Sequence, residues 1–140
     1  ISYLLENLAK PVLLTGAQLP IEAARTDAKE NFMTALEIAA ARDEAGNPMV
    51  PEVCIYFNSL LLRGNRAKKV ESSQFNAFRS DNYPALAEAG VFIEWNRPYI
   101  RPFQPVHPLR LHERLDTNVL ILKLFPGISE RVLNATLRIP

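Results

Sequence analysis

The chain has 140 residues, 48% of them hydrophobic and 22% charged, which is enough apolar content for one domain with its own core. Lys and Arg number 16 against 15 Asp and Glu, and this net charge of +1 argues against a dedicated nucleic-acid binder. No apolar run reaches the roughly 18–20 residues of a membrane span, no secretory leader is read at the start, and a single cysteine forms no internal disulfide, so a reducing compartment is expected.

Ile1, Leu4, Leu5 and Leu8 share one face at helical spacing, so residues 1–8 read as helix. An opening inside an amphipathic helix, without Met, suggests a piece of a longer protein. Pro11 separates this helix from Val12–Thr15, a short apolar strand. Gly16-Ala17-Gln18-Leu19-Pro20 then forms a loop at the strand's carboxyl end, where open α/β sheets bind ligands. Asp27-x-x-Glu30 reads as a capping box opening a helix over about residues 27–41. Its stripe of Phe32, Met33, Leu36, Ala39 and Ala40 reads as core packing. Residues 43–48 are a turn-rich connector.

Val53–Phe57 is nearly continuously apolar, as in a strand covered on both faces, and Cys54 within it reads as a buried small apolar residue. Leu60–Arg63 follows Asn58-Ser59, which marks a hairpin or bulge. Residues 66–90 are mixed, with Phe75 and Phe78 as core anchors and about one helical turn over Pro84–Ala89. Val91–Trp95 alternates like a strand. Four prolines in 98–108 indicate an extended connector. Val119–Phe125 is the strongest apolar strand signal, and Ser129 caps a helix running to about Leu137. The alternation predicts an α/β fold with a parallel sheet.

Arg63, Arg66, Lys68 and Lys69 cluster in LLRGNRAKK. The lone Gly64 fits neither a phosphate loop nor a dinucleotide fingerprint, so the cluster alone reads as a charged strand end pairing with acids such as Glu71. His107 and His112, with Glu113, are too few for a zinc site and read as exposed polar residues. No G-x-S-x-G elbow or supported Cys–His pair occurs.

Two longer stretches say more. KPVLLTGAQLPIEAARTDAKENFMTALEIAA (10–40) and PEVCIYFNSLLLRGNRAKKVESSQFNAFRSDNYPALAEAG (51–90) together resemble bacterial-type L-asparaginase, in its cytoplasmic type I branch. NVLILKLFPGIS (118–129) is similar to that family's entry into its carboxyl-terminal domain. The shared signature is TG-[SA]-Q-x-P, a following S/T-D-x-x-x-N, and R-G-N-R-x-x-K. The resemblance implies a flavodoxin-like parallel-sheet domain. On this sequence it implies residues 1–97 as the second half of the amino-terminal domain, 98–117 as connector, and 118–140 as the start of a second α/β domain.

It also implies hydrolysis of L-asparagine to L-aspartate and ammonia without a cofactor or metal, in a cytoplasmic homo-oligomer with no nucleic-acid or membrane partner. A threonine hydroxyl forms an acyl-enzyme, assisted by a second threonine, an aspartate and a lysine. The lysine falls on Lys69, because it ends the R-G-N-R-A-K-K match. A lysine acts as a base only when burial lowers its pKa from about 10.4, and while charged it stabilises developing negative charge. Gly16, Ala17 and Gln18 match the loop that lines the substrate pocket, where a backbone carbonyl accepts from the amide nitrogen. The family's T-G-G-T-I and H-G-T-D-T segments, with both threonines and the aspartate, are not in these 140 residues, so the chain alone is expected to be inactive. Lys68 stands where many relatives carry a threonine that contacts a regulatory ligand, which puts allosteric control in doubt. The rival readings are a non-catalytic ligand-binding or interaction module, a glutaminase-asparaginase, and a subunit that deamidates charged tRNA.

Overall fold

A computed structural model describes residues 1–70, 77–104 and 107–139. The strands are β1 (Leu5–Glu6), β2 (Val12–Leu14), β3 (Val53–Phe57), β4 (Leu60–Arg63), β5 (Lys68–Lys69), β6 (Phe78–Arg79), β7 (Ala87–Ala89), β8 (Ile93–Trp95) and β9 (Arg110–Leu111). The helices are α1 (Ala28–Ala40) and α2 (Glu130–Leu137), with a 3₁₀ turn at Arg97–Tyr99. A five-stranded sheet in the order β2-β3-β4-β7-β8 forms the centre. Ile38 of α1, Val50, Cys54 and Tyr56 of β3, Leu61 of β4 and Leu86 make its buried core.

The fold is α/β, and among the described residues parallel pairing is confined to β2 and β3, in register from Val12↔Val53 to Leu14↔Ile55. The connections explain this. The β2-to-β3 link carries α1 and is long enough for a parallel crossover, whereas β3 and β4 are joined by two residues and must run antiparallel. Those residues, Asn58 (φ 47°) and Ser59 (φ 66°), both adopt left-handed backbone, the geometry of a tight hairpin turn that follows strand twist.

Several sequence expectations fail for identifiable reasons. Residues 1–8 are not helical; Leu5–Glu6 instead pairs with Arg110–Leu111, and eight residues are too few to hold a helix without packing. Asp27 sits at the N-cap of α1 but makes no side-chain cap, so the capping box is not formed. The buried line of α1 is Asn31, Ala35 and Ile38, while Phe32 (56%), Met33 (63%) and Leu36 (50%) are exposed. Pro84–Ala89 is no helical turn; its end becomes β7, paired with β4 and β8. Val119–Phe125 forms no strand, and all its apolar residues but the half-buried Leu122 are exposed, because none of the described strands offers it a partner. Phe75 lies outside the described residues.

The helix over 130–137 forms as expected, with the Ser129 hydroxyl accepting from Val132 N at 3.3 Å. Cys54 is fully buried, and that burial pushes its thiol pKa well up, which leaves it a packing residue. Among the described residues no helix is long and apolar enough to cross a membrane.

Gly64 is fixed by space rather than by backbone angle. It ends β4, its N–H donates to Val53 O at 2.8 Å, and a Cβ there would stand 2.8 Å from that same oxygen. Backbone cannot yield as a side-chain tip can. Gly64→Ala is therefore expected to destabilise the fold by about 1–3 kcal/mol, read as a lower midpoint in thermal or urea unfolding.

Candidate functional site

The carboxyl ends of the two parallel strands meet at one place. Residues 15–20 leave the end of β2, and the Asn58–Ser59 turn leaves the end of β3. This is where open α/β sheets hold their ligands, because neighbouring strand ends open a crevice there.

A three-residue strand cannot by itself fix the loop that follows it. Three side chains do so. The Asp27 carboxylate accepts from Gln18 N at 3.0 and 3.1 Å and from Leu19 N at 3.2 Å. Asn31 Nδ2 donates to Gly16 O at 2.9 Å and to Asp27 Oδ2 at 3.1 Å, and Asn31 Oδ1 accepts from Asn58 N at 3.3 Å. The Thr26 hydroxyl donates to Leu19 O at 3.1 Å and accepts from Ala28 N at 3.1 Å. Asn31 is only 4% exposed, so a buried amide joins the β2 loop to the β3–β4 turn. Partial burial works to raise the Asp27 pKa, but the hydrogen bonds from Gln18, Leu19 and Asn31 outweigh it and hold the carboxyl below its ordinary range.

Two aromatic rings link the strand that bears Lys69 to this region. It pairs across strands with Phe78, whose ring centroid lies 5.3 Å from that of Phe57. A Cβ on Gly16 would lie 3.8 Å from Phe57 Cε2, so the Phe57 ring rests against the loop. A line of contacts thus runs from Gly16 through Phe57 and Phe78 to the strand bearing Lys69. Lys69 itself is exposed in this chain.

Its neighbours are engaged elsewhere. Lys68 Nζ lies 2.5 Å from Asp81 Oδ2, and Arg79 pairs with the same carboxylate. The Lys68 hydrogen bond, ahead of the contact from Arg79, holds the Asp81 pKa below its ordinary range. Among the described residues Lys69 has no ion pair. Glu71, the expected acid partner of this strand end, lies outside the described residues.

A cleft of about 550 Å³ opens at the other end of the parallel strands, beside Glu52, Arg63, Asn65 and Arg101. His112 borders it and hydrogen-bonds Glu6 at 2.7 Å. Among the described residues no group of three or more His, Cys, Asp or Glu could hold a metal ion.

Sequence reasoning misses what Asp27 and Asn31 do. The signal was available: two polar residues four apart face one side of a helix, and Asn31 interrupts an otherwise apolar buried line.

Residues 1–101 match the family profile described as "Asparaginase, N-terminal". A mouse protein named 60 kDa lysophospholipase is 41% identical over all 140 residues, which cover 24% of its length. L-asparaginase 1 of Escherichia coli K12 is 37% identical over 145 aligned positions, covering all of this chain and 39% of that protein. Among solved structures, L-asparaginase I of Vibrio cholerae superposes with a TM-score of 0.77 at 34% identity, over 97% of this chain and 39% of that one. The chain spans less than half the length of these relatives.

Proposed function

The chain belongs to the asparaginase family, and from that premise we propose that it forms part of the substrate pocket of an L-asparagine amidohydrolase in a longer protein. The observation that supports this reading is the Gly16–Gln18 loop at the carboxyl end of β2, linked through Phe57 and Phe78 to the strand that bears Lys69. In this reading a threonine hydroxyl from outside these 140 residues attacks the side-chain amide carbon. The carbon–nitrogen bond breaks, ammonia leaves with the hydroxyl proton, and water then hydrolyses the aspartyl ester. The Lys69 nitrogen assists by taking the proton or by stabilising the oxyanion, and residues beyond the chain cover its exposed position. Gly16, Ala17 and Gln18 hold the substrate, and a carbonyl of that loop accepts from the amide nitrogen. Gly16 O already accepts from Asn31, which favours another carbonyl for that role.

The division at 98–117 stays part of the reading, supported by a family match that ends at residue 101. An oligomeric parent in the cytoplasm, with the second domain completing the site, rests on the family resemblance. By the same reading the 140 residues alone do not turn over.

A second reading is hydrolysis of a lysophospholipid ester, favoured by the 41% identity to the mouse protein of that name. Both reactions transfer an acyl group to water, so one experiment separates them. The full-length protein is assayed for ammonia release from asparagine and from glutamine, and for fatty-acid release from a lysophospholipid. The expected result is turnover of asparagine well above the other two. Release of fatty acid without ammonia would replace the first reading with the second.

A further inference from the structure

We propose that Asp27 and Asn31 are positioning residues of the substrate pocket, acting through the backbone of the Gly16–Leu19 loop; the proposal rests on the amidohydrolase reading above. Among the described residues, no backbone–backbone hydrogen bond closes within residues 15–19. The polar groups of that loop are answered instead by Thr26, Asp27 and Asn31, at the start of α1. Gln18 N and Leu19 N donate to Asp27, Gly16 O accepts from Asn31, and Leu19 O accepts from Thr26.

Helix stability does not account for this arrangement. An Asp at the N-cap ordinarily accepts from the second or third helical N–H, and losing that cap costs about 0.5–2 kcal/mol. Asp27 makes no such bond, because both of its oxygens point back to the loop or to Asn31. Asn31 is likewise buried where an apolar residue would pack, and it uses its amide oxygen on the Asn58 N–H. The two residues therefore set the β2 loop against the β3–β4 turn.

The Ala17 peptide is the part of the loop left to a ligand. Ala17 is exposed, and among the described residues its N–H and C=O have no hydrogen-bond partner. The peptides on both sides of it are held. A carbonyl fixed in this way is ordered before substrate arrives, so binding and reaction lose less to ordering the loop.

The test uses the full-length protein and two variants, Asp27→Asn and Asn31→Ala. Steady-state kinetics on asparagine are paired with hydrogen exchange at the Gln18 and Leu19 amides and with urea unfolding. Asp27→Asn keeps the shape but turns an amide group toward one backbone N–H. The expected result is a fall in kcat/KM of about 10–10²-fold, faster exchange at both amides, and variants that stay folded under assay conditions. Values of kcat/KM within about twofold of the wild type, despite faster exchange, would overturn the proposal. A loss that only tracks the unfolded fraction would also overturn it, since that is a purely structural role. Should neither variant fold, exchange in the wild-type protein decides: both amides protected supports the proposal, and both exchanging like unstructured chain ends it. A wild-type protein that releases no ammonia refutes the amidohydrolase reading itself, which is a separate outcome.

Discussion

Replacing Lys69 by methionine in the full-length protein is expected to lower kcat for asparagine hydrolysis by about 10²–10⁴-fold with little change in KM. The hydroxyl nucleophile of the proposed mechanism is weak unless a base takes its proton or a cation stabilises the charge that develops. Among the cations of the β5–β6 pair, Lys68 and Arg79 share Asp81, while Lys69 has no ion pair among the described residues. Methionine keeps the apolar stem and removes only the charged end. Lys68→Met should leave kcat nearly unchanged, because the Lys68 ammonium is held by the exposed Asp81 carboxylate. Lys69→Arg then divides the two roles: retained charge with lost activity marks proton transfer, and partial retention marks electrostatic stabilisation. Stopped or steady-state ammonia release on the three variants reads all of this. Equal activity in Lys69→Met and wild type would remove Lys69 from the mechanism.

The second large effect concerns stability. Glu52 is 5% exposed and accepts from Arg63 Nε at 2.5 Å, from Arg63 Nη2 at 2.9 Å and from Arg101 N at 2.6 Å. Arg63 also donates to Tyr99 O at 2.9 Å and lies 4.3 Å from the centroid of the Tyr83 ring. One carboxylate thus ties the start of β3 to the end of β4 and to the connector that follows the 3₁₀ turn. The Arg101 side chain, 66% exposed and 3.9 Å away, adds little in water. Glu52→Ala leaves Arg63 without its counter-ion and the Arg101 N–H without an acceptor, and should cost about 3–5 kcal/mol in urea unfolding. Much of that loss is the penalty of an unpaired charge. The double variant Glu52→Leu with Arg63→Met should therefore be more stable than Glu52→Ala alone. A single-variant cost below about 1 kcal/mol would show the network to be solvent-screened.

What was legible in the sequence follows from what each element depends on. β2, β3, β4 and α1 were readable because their patterns and turn residues act locally: Pro11 before β2, Asn58-Ser59 between β3 and β4. Val119–Phe125 reads equally well as a strand, yet a strand is a relation between two segments, and its sequence cannot state whether a partner is present. The sequence misleads about the face of α1, because its large apolar residues read as buried. The sheet instead receives Asn31, Ala35 and Ile38, and α1 carries apolar residues on more than one side. Asp27 looked like a cap because a cap and a loop clamp use the same residue at the same place, and only the direction of the carboxylate separates them. Lys69 came from the family resemblance. Residue logic alone read its cluster as a charged strand end, and that is how the chain displays it.

The most direct test of the central claim is a crystal structure of the full-length protein with the product L-aspartate bound. The product should lie at the carboxyl ends of β2 and β3, against the Gly16–Gln18 loop, with its side-chain carboxylate within about 3 Å of the Lys69 nitrogen. L-aspartate bound elsewhere, with that nitrogen facing solvent, would contradict the account.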